Sequence, residues 1–210
     1  MITKLLKRDF LLAIKSSNGL ILTFIILLIS MLLYSFMSQA ETSSPAFFVH
    51  NILLTIAFSS LLSSNILFFD DLDDGSTEQM IICGVSHKQI ILAKVIFHFI
   101  ISAVPIIIAE PIMAEIFKVK IATNFILVIA IISISFSFSS VYCALVISLL
   151  NNNTLIGNLI LLPLMIAPLI VGKLNIDHPE YFSLLCGLCL IISASSFLMS
   201  YVVYRDKYTL

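Results

Sequence analysis

Long apolar runs dominate this chain, and short polar clusters separate them. About 20 apolar residues suffice to cross a bilayer as a helix. By that measure six segments qualify: 19–38, 46–69, 90–117, 125–150, 155–171 and 181–204. The third and fourth exceed a minimal span and are expected to tilt, kink or run into the interface, with Pro105 and Pro111 as the kinking residues of the third. The fifth is the shortest, and Pro163 and Pro168 leave it open to being broken or re-entrant. Ahead of the first run, residues 1–17 follow a helical period. Lys4, Lys7, Arg8 and Lys15 fall within about 100° of one another, opposite Ile2, Leu5, Leu6, Phe10, Leu12 and Ala13. This is a basic amphipathic helix expected to lie in the membrane interface. Asp9 falls in the middle of its apolar face.

Composition sharpens this into a fold class. Of the 210 residues 60% are hydrophobic and 11% charged, against roughly 45–50% and 25% in soluble domains, so there is too little polar surface to coat a globule. The pattern predicts an all-α integral membrane protein with six transmembrane helices, an N-terminal interfacial helix and no sizeable soluble domain. A net charge of −1 gives no reason to expect nucleic-acid binding. The glycines at 19, 75, 84, 157, 172 and 187 cannot form a GxxxxGK[ST] loop, so any ATP is bound by another subunit. Lys and Arg distribution sets the orientation. With the N-terminus inside, Lys4, Lys7, Arg8, Lys15, Lys88, Lys94, Arg205 and Lys207 are cytoplasmic, against Lys118, Lys120 and Lys173 outside, which places both termini in the cytoplasm. Ser38-Gln39-Ala40 has the small-x-small form of a signal cleavage site. The run before it, about 20 residues, is too long for a signal h-region of 7–15 and is read as an uncleaved span.

The densest polar feature is the loop after the second run, where Asp70, Asp71, Asp73, Asp74 and Glu78 crowd into nine residues. Two S-x-x-Q pairs, Ser76 with Gln79 and Ser86 with Gln89, have the form of capping boxes, and Gly84 between them suits a C′ terminator. A short helix over 77–83 follows, with carboxylates at its N-terminal end where they complement the dipole. An EF-hand would need an oxygen ligand at position 72 and a Glu at 81; the residues are Leu72 and Ile81, so that motif is excluded. The segment is either a docking helix for a cytoplasmic partner or a solvated acidic loop.

The run Phe68-Phe69-Asp70-Asp71-Leu72-Asp73-Asp74-Gly75-Ser76-Thr77-Glu78-Gln79-Met80, followed by Leu92-Ala93-Lys94-Val95, His98 and Pro105, resembles the haem exporter protein B (CcmB) family. That family is the membrane subunit of the ABC-type complex of cytochrome c maturation. The pattern F-x-D-D-x-x-D-G-S-x-E-Q with L-A-K-V-x-x-H is specific, and the length and six-span plan extend the likeness along the chain. There are departures. Phe69 stands where a basic residue is common, and Phe99 where Trp often follows the His. The Asn151-Asn152-Asn153-Thr154 loop lacks basic residues, and Pro163 and Pro168 are five apart rather than four.

The resemblance implies an ABC-2 (type V exporter-like) permease fold in the bacterial inner membrane, with no enzymatic activity and no intrinsic cofactor. It implies that 70–89 is a coupling segment in which Asp70, Asp71, Asp74, Gly75, Glu78 and Gln79 meet a CcmA-like ATPase subunit. The further partners it implies are CcmC-like and CcmD-like membrane proteins, a CcmE-like haem chaperone and the lipid bilayer, with haem as the ligand transported or handled. Other readings are an ABC-2 exporter of another substrate, and a mechanical assembly factor that moves no substrate.

Within the spans, Lys94 and His98 are spaced i, i+4 and share a face, while Glu110 falls near the outer surface. Each is a candidate for a substrate path, and His98 for a haem contact through its imidazole. The plainer roles are an interfacial snorkelling lysine, a helix-packing hydrogen bond and a helix-break or outer-face packing contact. His50 and His178 lie at the outer face, where either can approach haem or simply be solvated. Cys186-Gly187-Leu188-Cys189 forms a C-x-x-C inside the sixth run, where apolar surroundings suppress thiol reactivity. With Cys83 and Cys143 it makes no zinc set.

Overall fold

The computed structural model describes residues 2–16, 18–40, 45–64, 67, 75–121, 124–149 and 154–208. Asp70, Asp71 and Asp74, together with the 151–153 stretch, lie outside the described residues. The elements are α1 (Ile2–Ser16), α2 (Asn18–Ala40), α3 (Pro45–Ser64), α4 (Ser76–Ile82), α5 (His87–Ser102), α6 (Val104–Ile116), α7 (Phe125–Leu149), α8 (Thr154–Asp177), a 3₁₀ turn (Pro179–Tyr181) and α9 (Phe182–Tyr208). No strand occurs among the described residues.

The apolar runs become helices because a backbone in hydrocarbon must satisfy its own hydrogen bonds. Five described stretches are long and apolar enough to cross a membrane: Pro45–Ser64, His87–Ile116, Phe125–Ile147, Leu159–Ile176 and Pro179–Arg205. The equally apolar α2 runs beside them, described in its side chains over Ile21–Phe36. This is a multi-pass, all-helical membrane protein. Apolar side chains such as Phe24, Leu28, Leu32 and Phe36 on α2, and Leu190, Ile191 and Leu198 on α9, face outward, as lipid requires.

Two proline expectations separate. The third run breaks at Ala103, between α5 and α6, because Pro105 lacks the N–H and crowds the preceding turn. The helix resumes at once, Ile107 N–H reaching the Ala103 carbonyl at 2.9 Å, and Pro111 sits inside α6 without a break. The interruption left open for the fifth run does not occur. α8 is continuous over 24 residues through Pro163 and Pro168, since a proline frees one carbonyl only and a helix packed against α3, α7 and α9 tolerates that.

α7 is the central helix, in contact with α3, α5, α6, α8 and α9. Around it the interior divides into two apolar cores. One gathers Tyr34, Phe48, Ile52, Met113, Phe125, Ile129, Leu161 and Leu185 at the end where α2 meets α3 and α6 leads to α7. The other gathers Ala13, Ile90, Ile91, Phe97, Val141, Leu145 and Tyr204 at the end that carries α1 and α4. Between them lies a layer of buried hydroxyls. Ser102, Ser137 and Ser196 stand near the middle of their apolar stretches, and Ser59, Ser60, Ser63, Ser139 and Ser140 join them.

Candidate functional site

The loop helix α4 spans Ser76–Ile82, one residue earlier than the spacing predicts at each end. Its N-cap is Gly75, in the left-handed region at φ 66°, with no side-chain cap. Ser76 therefore lies inside the first turn rather than capping it, and the first of the two expected capping boxes does not form. The second does: the Gln89 side chain accepts from the Ser86 N–H at 3.3 Å at the start of α5. At its far end α4 closes with a Schellman pair. Gly84, at φ 81°, donates to Ile81 O at 2.9 Å and Val85 donates to Met80 O at 3.0 Å, the pattern a glycine at C′ permits.

α4 thus has two faces. Thr77 is buried and Met80 turns inward, its sulfur 3.5 Å from Arg8 of α1. Glu78, Gln79 and Cys83 face outward, and Ile82, one turn on from Glu78, is 84% exposed, the most of any described large apolar residue. The start of α5 is secured separately, His87 packing edge-on to Tyr204 with centroids 5.2 Å apart and Lys88 lying 5.5 Å over the Tyr201 ring.

Beneath α4 lies the ion pair that explains Asp9. The apolar face of α1 packs on α5, Phe10 meeting Phe97 edge-on at 5.6 Å. This brings Asp9, 3% exposed, to 3.3 Å from Lys94 Nζ and 2.8 Å from Arg8 Nη2. Lys94 is buried with Asp9 instead of snorkelling to the surface.

One turn further along α5, His98 sits in the hydroxyl layer. Its Nε2 lies 2.9 Å from Ser63 Oγ and 3.2 Å from the Ser60 carbonyl, and its Nδ1 is 3.1 Å from Ser137 Oγ. The layer extends outward on both sides. Ser60 and Ser140 hydroxyls meet at 3.0 Å, Ser59 donates to the Ser102 carbonyl at 3.0 Å and approaches Thr23 of α2 at 3.4 Å, and Ser139 approaches Ser196 of α9 at 3.4 Å. With both ring nitrogens engaged, His98 is a cross-helix hydrogen-bonding centre in this arrangement.

Glu110 is buried on the α6 face that also carries Ile106 and Met113. It stands twelve residues from His98, about 18 Å along a helix, across the break at Ala103. Lys94, His98 and Glu110 are therefore three separate environments. Cys186 and Cys189 are free thiols inside α9, Cys189 buried. Among the described residues no group of three His, Cys, Asp or Glu side chains is placed to hold a metal ion.

The family model described as CcmB protein matches residues 1–201. The chain belongs to the CcmB family. A full-length relative, an uncharacterized protein of Rickettsia conorii, is 24% identical over 221 aligned positions, covering 98% of this chain and 97% of that one. Heme exporter protein B of Haemophilus influenzae is 30% identical over 118 residues, 55% of this chain and 53% of its own length. Its namesake in Escherichia coli is 42% identical over 50 residues, 24% of this chain and 23% of its own. The chain thus spans about half, or less, of the named exporters it matches.

Sequence reasoning passed over the hydroxyl layer and the partner of Asp9. The signal for the first was present. Ser59-Ser60 and Ser63-Ser64 recur at helical spacing on α3, and the alternating serines of 133–140 sort by helical period into a face of Ser133, Ser137 and Ser140 and another of Ser135 and Ser139. An acid on an apolar face is likewise a signal for a buried cation.

Proposed function

We propose that this chain is the membrane subunit of an ABC-type complex that handles haem for c-type cytochrome biogenesis, with α4 as the helix that receives force from a partner ATPase. The observation that carries this is the two-sided build of α4 in a CcmB-family chain. Its inner side is fixed to α1 through Arg8 and to α5 through the Gly84 turn, and its outer side offers Glu78, Gln79 and Ile82 with nothing over them among the described residues. An exposed isoleucine beside an acid and an amide, on a helix anchored from behind, has the character of a docking face. Asp70, Asp71, Asp74 and Gly75 extend that contact in this proposal. Six spans of the ABC-2 exporter type, cytoplasmic termini, an inner-membrane location and CcmC-, CcmD- and CcmE-like partners belong to the same reading.

The test is charge reversal. Glu78→Lys combined with Asp71→Lys is expected to reduce co-purification of the ATPase subunit at least tenfold while leaving the chain in the membrane. Undiminished association would remove the docking assignment, and normal c-type cytochrome yield in cells lacking the chain would remove the function.

The hydroxyl layer favours a second reading of the work performed. Hydrogen bonds run across the mid-bundle from α2 to α9, so a single chain offers haem no open passage there, and ATP-driven motion would release haem from a partner rather than carry it through this bundle. Haem crossing vesicles that hold the reconstituted complex would exclude this.

A further inference from the structure

At the end of the bundle away from α4, a cleft of about 230 Å³ opens between the start of α3, the α6–α7 connection and the end of α8. Val49, Ile121 and Ile176 make an apolar wall, and three nitrogen-bearing side chains from three different elements line the rest: His50, Lys120 and Lys173. Among the described residues no acidic side chain lines it and neither lysine has a carboxylate partner. Glu115 and Glu180, on the segments leading into and out of this end, are exposed, and Glu180 lies beside His178.

Two unpaired ammonium groups beside one cleft repel each other, and a dianion spanning them relieves that repulsion. His50 adds a second kind of chemistry. Its Nδ1 contacts the Ala46 carbonyl, which can only accept, so Nδ1 carries the hydrogen and Nε2 of the neutral ring keeps its lone pair. This is the tautomer a metal-ligating histidine needs, with the other nitrogen held by a backbone carbonyl. The cleft is smaller than the roughly 300–1,000 Å³ of a pocket that engulfs a drug-sized ligand, so it suits part of one face of a flat amphiphile, from a polar edge to the centre, whose remainder lies against lipid or a partner.

We propose that this cleft is a substrate site for an iron porphyrin, in which Lys120 and Lys173 take its two carboxylates and His50 offers Nε2 to its iron. The proposal rests on the reading that the chain handles haem, and it places that contact away from His98.

The experiment uses the full chain, with whatever subunits accompany it on purification, in nanodiscs of phosphatidylcholine. Ferric haem, iron-free protoporphyrin and haem dimethyl ester are titrated in turn, following the Soret band or porphyrin fluorescence. Lys120→Gln with Lys173→Gln is expected to weaken haem and protoporphyrin alike, by roughly tenfold per lysine, and the dimethyl ester should bind the native chain as weakly as haem binds that variant. His50→Ala should abolish the haem Soret shift while leaving protoporphyrin affinity unchanged. Equal haem affinity in the native and lysine variants, or an unaltered haem spectrum in His50→Ala, overturns the proposal. So does loss of the lysine dependence when phosphatidylglycerol replaces part of the lipid, which would make the cleft a lipid-headgroup site. These are binding readouts on the purified chain, so they stand apart from cytochrome yield in cells, which judges the function itself.

Discussion

Asp9 and Lys94 show what one misplaced charge says about an assembly. An acid on the apolar side of an amphipathic helix is costly in hydrocarbon unless a cation meets it, and the structure supplies Lys94 at 3.3 Å and Arg8 at 2.8 Å. Breaking a buried pair from one side leaves the other charge under-compensated. Asp9→Ala is expected to destabilise the protein by about 3–5 kcal/mol, lowering its unfolding midpoint in detergent. Asp9→Leu with Lys94→Met should recover most of that loss; a double variant as unstable as Asp9→Ala would show that packing rather than charge is at stake. Lys118 offers the opposite case. It holds φ 55°, the lone described non-glycine residue with positive φ, at the C′ position of α6, where its N–H bonds Glu115 O at 3.2 Å and Val119 N–H bonds Ala114 O at 2.9 Å. A β-carbon in that region costs about 1–2 kcal/mol, so Lys118→Gly should raise the melting midpoint, less whatever the glycine loses in the unfolded chain.

At the scale of elements, the sequence marked helices well and their ends less well. The apolar runs announced α2, α3, α5 to α9 by length alone, and the basic stripe announced α1. The ends depended on contests that local pattern does not decide. Ser76 and Gln79 have capping-box spacing, yet Gly75 takes the cap because its positive φ turns the chain before a serine can. Pro163 and Pro168 left a break open, yet neighbouring helices hold α8 through both. Gly84 was legible because a glycine between two S-x-x-Q pairs has one obvious use. That gives a prediction for the element. Gly84→Val must place a β-branched residue at φ 81°, which should cost about 2 kcal/mol or more locally and loosen α4 from α5. The expected readout is faster hydrogen exchange over Met80–Val85 with exchange in α7 unchanged; equal protection would mean that the turn does not set the position of α4.

For the whole molecule, hydropathy marks which stretches are long and apolar enough to cross a membrane and says little about how they pair. Which serines meet depended on rotations that an apolar run does not specify, so the layer around His98 was visible as letters and not as a structure. The candidate site divides in the same way. Glu78 and Gln79 were readable as exposed ends of a polar loop, whereas Lys94, His98 and Glu110 were readable only as anomalies and resolve into an ion pair, a hydrogen-bonding hub and a buried acid in the far core. Ser60 and Ser140, at 3.0 Å, test whether the layer holds the bundle together. A double-mutant cycle with Ser60→Ala and Ser140→Ala should give a coupling energy of about 0.6–1.7 kcal/mol, the range of hydrogen bonds between membrane helices, and a coupling near zero would make the contact incidental.

A layer of this kind has a mechanical consequence. A hydroxyl changes partner by rotating about one bond, whereas interlocked apolar side chains must come apart before they can slide. Continuous helices such as α7 and α9 cross this layer, so it is the level at which neighbouring helices turn or slide against one another most easily, between two more tightly interlocked cores. A displacement of one helix at the end that carries α4 can be taken up there by exchanging one set of hydrogen bonds for the next. Matched exchange broadening of the Ile56 and Ile101 methyls, one from each core, would register that motion, and its absence would show the helices to be locked at this level.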